Sequence, residues 1–144
     1  MEIRTPLNLD EWGQYYDLRY RLLREPLEQP RGSERNHADE FSIHLAYFEQ
    51  GKILGVVRLD THESDEIAQI RFMAVDFGAQ GKGIGRLLMT EAELYAKNLR
   101  YRKVMLQARE NALPFYKSMG YQLIEKSHLL FGIIQHYKME KFLD

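Results

Sequence analysis

Apolar positions along the chain follow two spacings. Between Asn8 and Arg24, the residues Trp12, Tyr15, Tyr16, Arg19, Leu22 and Leu23 fall on one broad face at helical steps. Asn8 or Asp10 is placed to cap this helix, and Pro26 to end it. A second helical series, Ile84, Leu87, Leu88, Ala92, Tyr95 and Leu99, recurs at steps of three, four and seven. Shorter apolar runs, Ile43–Phe48 and Ile53–Leu59, read as strands joined by a hairpin turn at Glu49-Gln50-Gly51-Lys52. Thr61 to Asp65 predicts a further turn, Glu66 to Val75 the next strand, and Lys103–Ala108 a strand after the second helix. Leu113–Met119 predicts a short helix stopped by Gly120, and Tyr121–Ile124 and Ile133–Met139 predict two closing strands. Glu25 to Glu40, polar and broken by Pro26, Pro30 and Gly32, reads as a loop. Two or three antiparallel strands therefore lead into a strand, helix and strand crossover, whose two strands should be parallel.

Between the strand ending at Val75 and the second helix lies Gln80-Gly81-Lys82-Gly83-Ile84-Gly85-Arg86. Its glycines allow a ligand to approach the backbone closely. The free N–H groups of the helix's first turn and the helix dipole make the loop an anion site suited to phosphate. Lys82 and Arg86 add full positive charges. The dinucleotide fingerprint fits poorly: the glycine spacing differs, and Tyr101 to Arg109 contains no acid. The P-loop pattern also fails, because Gly83 follows Lys82 where a hydroxyl residue is required. A glycine-rich turn without a ligand remains the alternative to both.

Bulk properties narrow the classes. The length, 144 residues, fits one domain with a real core. A net charge of −1 argues against general nucleic-acid or membrane-surface binding. With no cysteine, a disulfide scaffold, a thiolate zinc site and a cysteine nucleophile are excluded. Met1 to Pro6 lacks the apolar core of a signal peptide, and no apolar run approaches the roughly 20 residues of a membrane span. The expectation is a soluble cytoplasmic protein.

A second stretch selects among phosphate ligands. Gln80, Gly83 and Gly85 after a strand, followed downstream by Asn111-Ala112-Leu113-Pro114-Phe115-Tyr116-Lys117-Ser118-Met119-Gly120-Tyr121, resemble motifs A and B of the GNAT superfamily of acyl-CoA-dependent N-acetyltransferases. The resemblance covers roughly Ile43 to Tyr121. It implies an α/β (α+β) fold: a mixed, mostly antiparallel sheet of about six to seven strands with a central splayed parallel pair, flanked by about four helices. It also implies acetyl-CoA as co-substrate. Its pyrophosphate would lie on the backbone of Gln80, Gly81, Lys82, Gly83, Ile84, Gly85 and Arg86, its pantetheine along Met73, Ala74 and Val75, and Asn111 would contact it. Tyr116 matches the family's general acid.

Some relatives place a catalytic Glu where this chain has Gln69, which cannot act as a base. Glu34, Asp39, Glu40 and His44 are candidates for that role, or the amine arrives neutral. In the densely charged loop, Glu34, His37, Asp39 and Glu40 could recognise the acceptor, and their acids favour a small cationic amine. No metal is expected, since His37, His44 and the nearby acids lack ligand spacing. The acceptor would be a small-molecule or protein amine, and a homodimer paired through a late strand is consistent with the pattern. Two rival readings stay open: a non-catalytic acyl-CoA-binding module on the same fold, and a different phosphate or nucleotide binder.

Overall fold

The structure is a computed structural model that describes residues 1–61 and 66–144. The turn expected at Thr61–Asp65 therefore lies, from residue 62 on, outside the described residues. The chain runs β1 (Glu2–Arg4), α1 (Leu9–Leu23), β2 (Ile43–Glu49), β3 (Lys52–Asp60), β4 (Ile67–Val75), α2 (Ile84–Asn98), β5 (Lys103–Arg109), α3 (Leu113–Ser118), β6 (Gln122–Leu130) and β7 (Ile134–Phe142). The seven strands form one sheet in the order β1-β2-β3-β4-β5-β7-β6. Among the described residues the pairings are antiparallel except β4 with β5, which are parallel across the α2 crossover.

Local chemistry explains the boundaries. Asn8 caps α1 by accepting from the Glu11 N–H at 2.9 Å. Gln50 and Gly51 both have positive φ, as a two-residue hairpin loop between β2 and β3 requires. Gly120, at φ +95°, ends α3, and the Tyr121 N–H returns to the Tyr116 carbonyl at 3.0 Å. Three features depart from the sequence pattern. β1 is a short strand too polar to announce itself. The loop from 25 to 40 contains two 3₁₀ turns, Glu25–Leu27 and His37–Glu40. The closing strands are longer than their apolar runs, because the edge strand β6 is mostly exposed and carries polar residues. Three α-helices are described where about four were expected; the remaining helical segments are single 3₁₀ turns.

Alternation along the strands divides the interior. Ala46, Phe48, Val56 and Ala74 meet Tyr15 and Leu18 of α1 on one face. On the other, Leu45, Tyr47, Val57, Leu59, Ile70 and Leu106 meet Leu88, Met89 and Ala92 of α2 and Tyr116 of α3. Each fully buried leucine or methionine here stabilises by roughly 1.5–3 kcal/mol. α2 lies close because Gly55 has no side chain: a Cβ there would come within 2.8 Å of Ile84 Cγ2 and Leu88 Cδ1. No described helix is long and apolar enough to cross a membrane.

Candidate active site

The sheet opens at its centre. β4 and β5 pair from Ile67↔Lys103 to Ile70↔Leu106 and no further, although β4 runs on to Val75 and β5 to Arg109. Beyond Ile70 and Leu106 the two strands part. A cleft of about 700 Å³ opens there, and its lining includes β4 from Gln69 to Val75 and β5 from Leu106 to Arg109. The cause is visible in β4. Val56 pairs with Ala74 but Arg58 pairs with Arg71, so Phe72 and Met73 together oppose Val57. This is a β-bulge, and Phe72 sits in it at φ +54°. Such a backbone costs a bulky residue about 1–3 kcal/mol. Stacking offsets part of it, with the Arg19 guanidinium 3.8 Å and that of Arg58 4.9 Å from the Phe72 ring centre.

Met73, Ala74, Val75, Gln80, Asn111 and Tyr116, all expected from the sequence, line this one cleft. Gln80 is fixed by donating to the Val75 carbonyl at 3.0 Å. Gly81, Lys82, Gly83, Ile84, Gly85 and Arg86 continue directly from Gln80 into α2, which starts at Ile84 with Gly83 as its N-cap. Gly81 and Gly83 have φ of +82° and +84° with open space where a side chain would project. Arg86 donates to Ser118 Oγ at 2.9 Å, tying this loop to α3.

Tyr116 is buried against Phe115 and Tyr121. Its hydroxyl makes no hydrogen bond to the described residues, and burial pushes the phenol up to about 12. It is therefore a donor at neutral pH. Gln107 also lines the cleft, and its Oε1 is buried without a partner.

The charged loop is placed differently. None of Glu34, His37, Asp39 or Glu40 lines the cleft between β4 and β5. Glu34 is buried and accepts from the Gly32 N–H at 2.7 Å. Asp39 bridges two fully buried guanidinium groups, at 2.9 Å from both Arg19 and Arg58. Burial alone would raise its pKa, but hydrogen bonds from Arg19 and the Asn36 N–H hold it down at about 2. Arg58 is further paired with Asp60 at 2.7 Å. His37 is exposed beside Phe41, and Glu40 is exposed. His44 is closed in: Tyr15 donates to its Nδ1 and its Nε2 donates to the Asp39 carbonyl, both at 2.8 Å. Asp39, Glu40 and His44 instead border a second, shallower hollow beside Trp12 and Tyr16.

What the sequence reading missed is the other wall of the cleft: Arg24 after α1, Arg71 on β4, Arg109 at the end of β5, His128 on β6 and His136 on β7. The two imidazoles stack 4.6 Å apart. His136 Nδ1 donates to the Ile134 carbonyl at 3.1 Å, which leaves Nε2 as an acceptor. Burial and the neighbouring charges of His128, Arg109 and Arg24 push its pKa below the usual histidine value. An arginine inside an apolar strand, as at Arg58 and Arg71, was the available signal. Among the described residues no three His, Cys, Asp or Glu side chains are grouped to hold a metal ion.

Comparison with known proteins agrees with this arrangement. The chain is 26% identical over 91 residues to N-acetylaspartate synthetase of Xenopus tropicalis; the match takes in 61% of the chain and 31% of that relative, so the chain spans about a third of the relative's length. Among solved structures, an acyl-CoA N-acyltransferase from Pseudomonas aeruginosa superposes with a TM-score of 0.81 at 23% identity, covering 97% of each chain. An aminoglycoside 6'-N-acetyltransferase complexed with coenzyme A gives 0.81 at 16% identity, over 99% of this chain and 97% of that one. These likenesses carry the fold. The family model for the acetyltransferase (GNAT) domain matches residues 24–143, and on that match the chain belongs to the GNAT acetyltransferase family.

Proposed function

We propose that this protein moves an acetyl group from acetyl-CoA to a primary amine by direct attack. The observation that carries the reading is the parting of β4 and β5 beyond Ile70 and Leu106, with the glycine loop at one end of the opening and Tyr116 in its wall. The unpaired backbone of Met73 to Val75 can bind the amide groups of pantetheine as an added strand would. The loop from Gln80 to Arg86 can hold the pyrophosphate. The thioester then lies in the opening, where a strand N–H can stabilise the tetrahedral oxygen.

In the reaction, the amine nitrogen attacks the thioester carbon. The C–N bond forms, the C–S bond breaks, and one proton must leave nitrogen. Gln69 cannot take it, and the described lining holds no carboxylate. Neutral His136, with Nε2 free, accepts it directly or through water. The sulfur leaves as a thiolate. Proton transfer from a phenol near 12 to a thiolate near 8.5 is uphill by roughly 5 kcal/mol. Tyr116 therefore acts by hydrogen-bonding the developing thiolate, which takes its proton as the product leaves.

The test uses the absence of cysteine, which lets a thiol reagent read released CoA without background from the protein. Acetyl-CoA should raise the melting temperature, by an amount equal to about 2.7 kcal/mol at a hundredfold excess over Kd, and CoA should appear when an amine is added. ATP or NAD stabilising the protein in place of acetyl-CoA would discard this reading. Tight binding without turnover of any amine would favour a non-catalytic acyl-CoA-binding module.

A further inference from the structure

Five arginines surround the bulge, and they are not equivalent. Arg19 and Arg58 are fully buried and neutralised by Asp39 and Asp60. Arg24, Arg71 and Arg109 line the cleft and have no carboxylate partner among the described residues. Arg24 is almost wholly buried, yet its Nε and Nη1 reach only the carbonyls of Ser33 and Leu23, both at 3.0 Å. Arg109 donates to the same Leu23 carbonyl at 3.3 Å, so one backbone oxygen draws two like charges together. Arg71 makes no hydrogen bond to the described residues; its guanidinium lies 5.3 Å from the Phe72 ring. Like charges gathered in a partly desolvated cleft repel. Burial lowers the pKa of each; at Arg24 the charges of Arg109, Arg19 and Arg71 add to it, and at Arg71 those of Arg58 and Arg19 do, opposed by Asp60 and Asp39.

These groups are not placed for the cofactor's phosphates. Arg71 precedes the bulge and the glycine loop begins at Gln80, past the end of β4. From Arg71 to Val75 alone, four residues of strand span about 13 Å. Guanidinium forks match carboxylates in two-point contacts, and three of them facing one space select for negative charge.

We infer that the acceptor is an amine that itself carries negative charge, with one or more carboxylates near the reacting nitrogen, held by Arg24, Arg71 and Arg109. This rests on the transferase reading above, and it reverses the preference for a cationic amine suggested by the loop acids. A free acidic amino acid and a peptide beginning with an acidic residue share this chemistry.

The experiment measures CoA release at saturating acetyl-CoA with L-aspartate, L-glutamate, L-asparagine, an aspartyl peptide and spermidine. It is repeated with Arg71→Glu; the Arg71 side chain lines the cleft and makes no hydrogen bond or ion pair with the described residues, so the change should leave the fold intact. Wild type should prefer the acidic amines, and the ratio of free amino acid to peptide identifies the source. Arg71→Glu should lower kcat/KM for the preferred acidic amine by about 10- to 150-fold, the worth of one charged hydrogen-bond partner. It should leave the acetyl-CoA KM unchanged and narrow the gap to spermidine. Wild-type preference for spermidine, an unaltered acidic-amine kcat/KM, or a raised acetyl-CoA KM in Arg71→Glu would each overturn the inference while leaving acetyl transfer standing. A separate equilibrium arm covers absence of turnover: the non-reacting product N-acetyl-L-aspartate should stabilise CoA-saturated wild type and not Arg71→Glu. No stabilisation by N-acetyl-L-aspartate or by its glutamate counterpart also overturns it. Loss of acetyl-CoA binding itself would sink the underlying reading instead.

Discussion

The two halves of the cleft are made of different material. The half past the bulge is largely main chain: the free edge at Met73–Val75, then a loop whose Gly81 and Gly83 adopt backbone that other residues avoid. The half before the bulge is side chain: arginines and histidines delivered from α1, β4, β5, β6 and β7. Main chain suits a ligand common to a whole family, because any sequence that folds this way presents the same N–H groups. Side chains suit a ligand that differs between members, because each can change without disturbing the sheet. Beneath the side-chain half lies a buried ion network, Arg19, Asp39, Arg58 and Asp60, that carries the wall without touching the cleft's ligand space.

The largest expected effect separates that support from the site. Asp39→Ala leaves the buried Arg19 guanidinium with no carboxylate and Arg58 with Asp60 alone, and should destabilise the fold by about 3–5 kcal/mol, read by chemical denaturation. The same carboxylate has a pKa lowered to about 2 in the folded state. Its stabilisation is complete above the unfolded value near 3.9 and is lost as pH falls toward 2, an amount of about 2 kcal/mol. If Asp39→Ala keeps its stability but loses amine affinity, the loop acids recognise the acceptor after all. Next in size is Tyr116→Phe, which keeps the ring and removes only the hydroxyl. Loss of a donor to developing negative charge should cost about 10²- to 10³-fold in kcat, or roughly 2.7–4 kcal/mol, with little change in acetyl-CoA Kd. A kcat within about threefold of wild type, well short of a lost donor, would show that Tyr116 only fills the core.

Gly83→Val tests the main-chain half. At φ +84° the side chain would meet no protein atom within 4 Å, so the folded state bears only the backbone penalty, about 1–2 kcal/mol. Acetyl-CoA affinity should drop by at least about tenfold, some 1.4 kcal/mol, with the amine KM little altered. Retained affinity in calorimetry would mean that the loop does not hold phosphate. The smallest change is Gln107→Met. Removing a buried, unpartnered oxygen should stabilise the unliganded protein by about 1 kcal/mol while turnover falls, if that oxygen receives a donor from the reactants. A thermal shift without any loss of rate would make Gln107 a mere packing flaw.

The same division explains what the sequence made legible. Strand, glycine loop and helix are local, so Gln80 to Arg86 could be located from adjacent residues, and α1, α2 and the β2–β3 hairpin followed from periodicity and turn chemistry. Tyr116 was reached only through a family resemblance, since a Phe-Tyr pair on a short helix reads equally as core. The arginine wall was not legible, because Arg24, Arg71 and Arg109 are far apart in sequence and meet only when the end of α1 is brought up to the cleft between β4 and β5. Charge density misled for a physical reason. The densest cluster, Glu34 to Glu40, contributes Asp39 to neutralise Arg19 and Arg58, and that partnership is invisible until β3 and α1 are placed side by side.

The extra residue in β4 also acts as a switch of parity. Ala68 and Ile70 face α2 before the bulge, and Met73 and Val75 face it afterwards, so the inward set changes from even to odd numbers. The strand is thereby two independent cassettes joined at Phe72: an upstream one carrying Gln69 and Arg71, and a downstream one carrying the free edge. Each can be exchanged without re-reading the other, provided the joint keeps its length. Deleting Phe72 alone would remove the extra residue and merge the cassettes into one regular alternation, with Ile70, Met73 and Val75 still toward α2 and Arg71 still away from it, but with no bulge to part β4 from β5. Such a deletion should leave a folded sheet that has lost acetyl-CoA binding, whereas swapping residues 67–71 for those of another family member should preserve melting temperature and acetyl-CoA binding and change only the amine accepted.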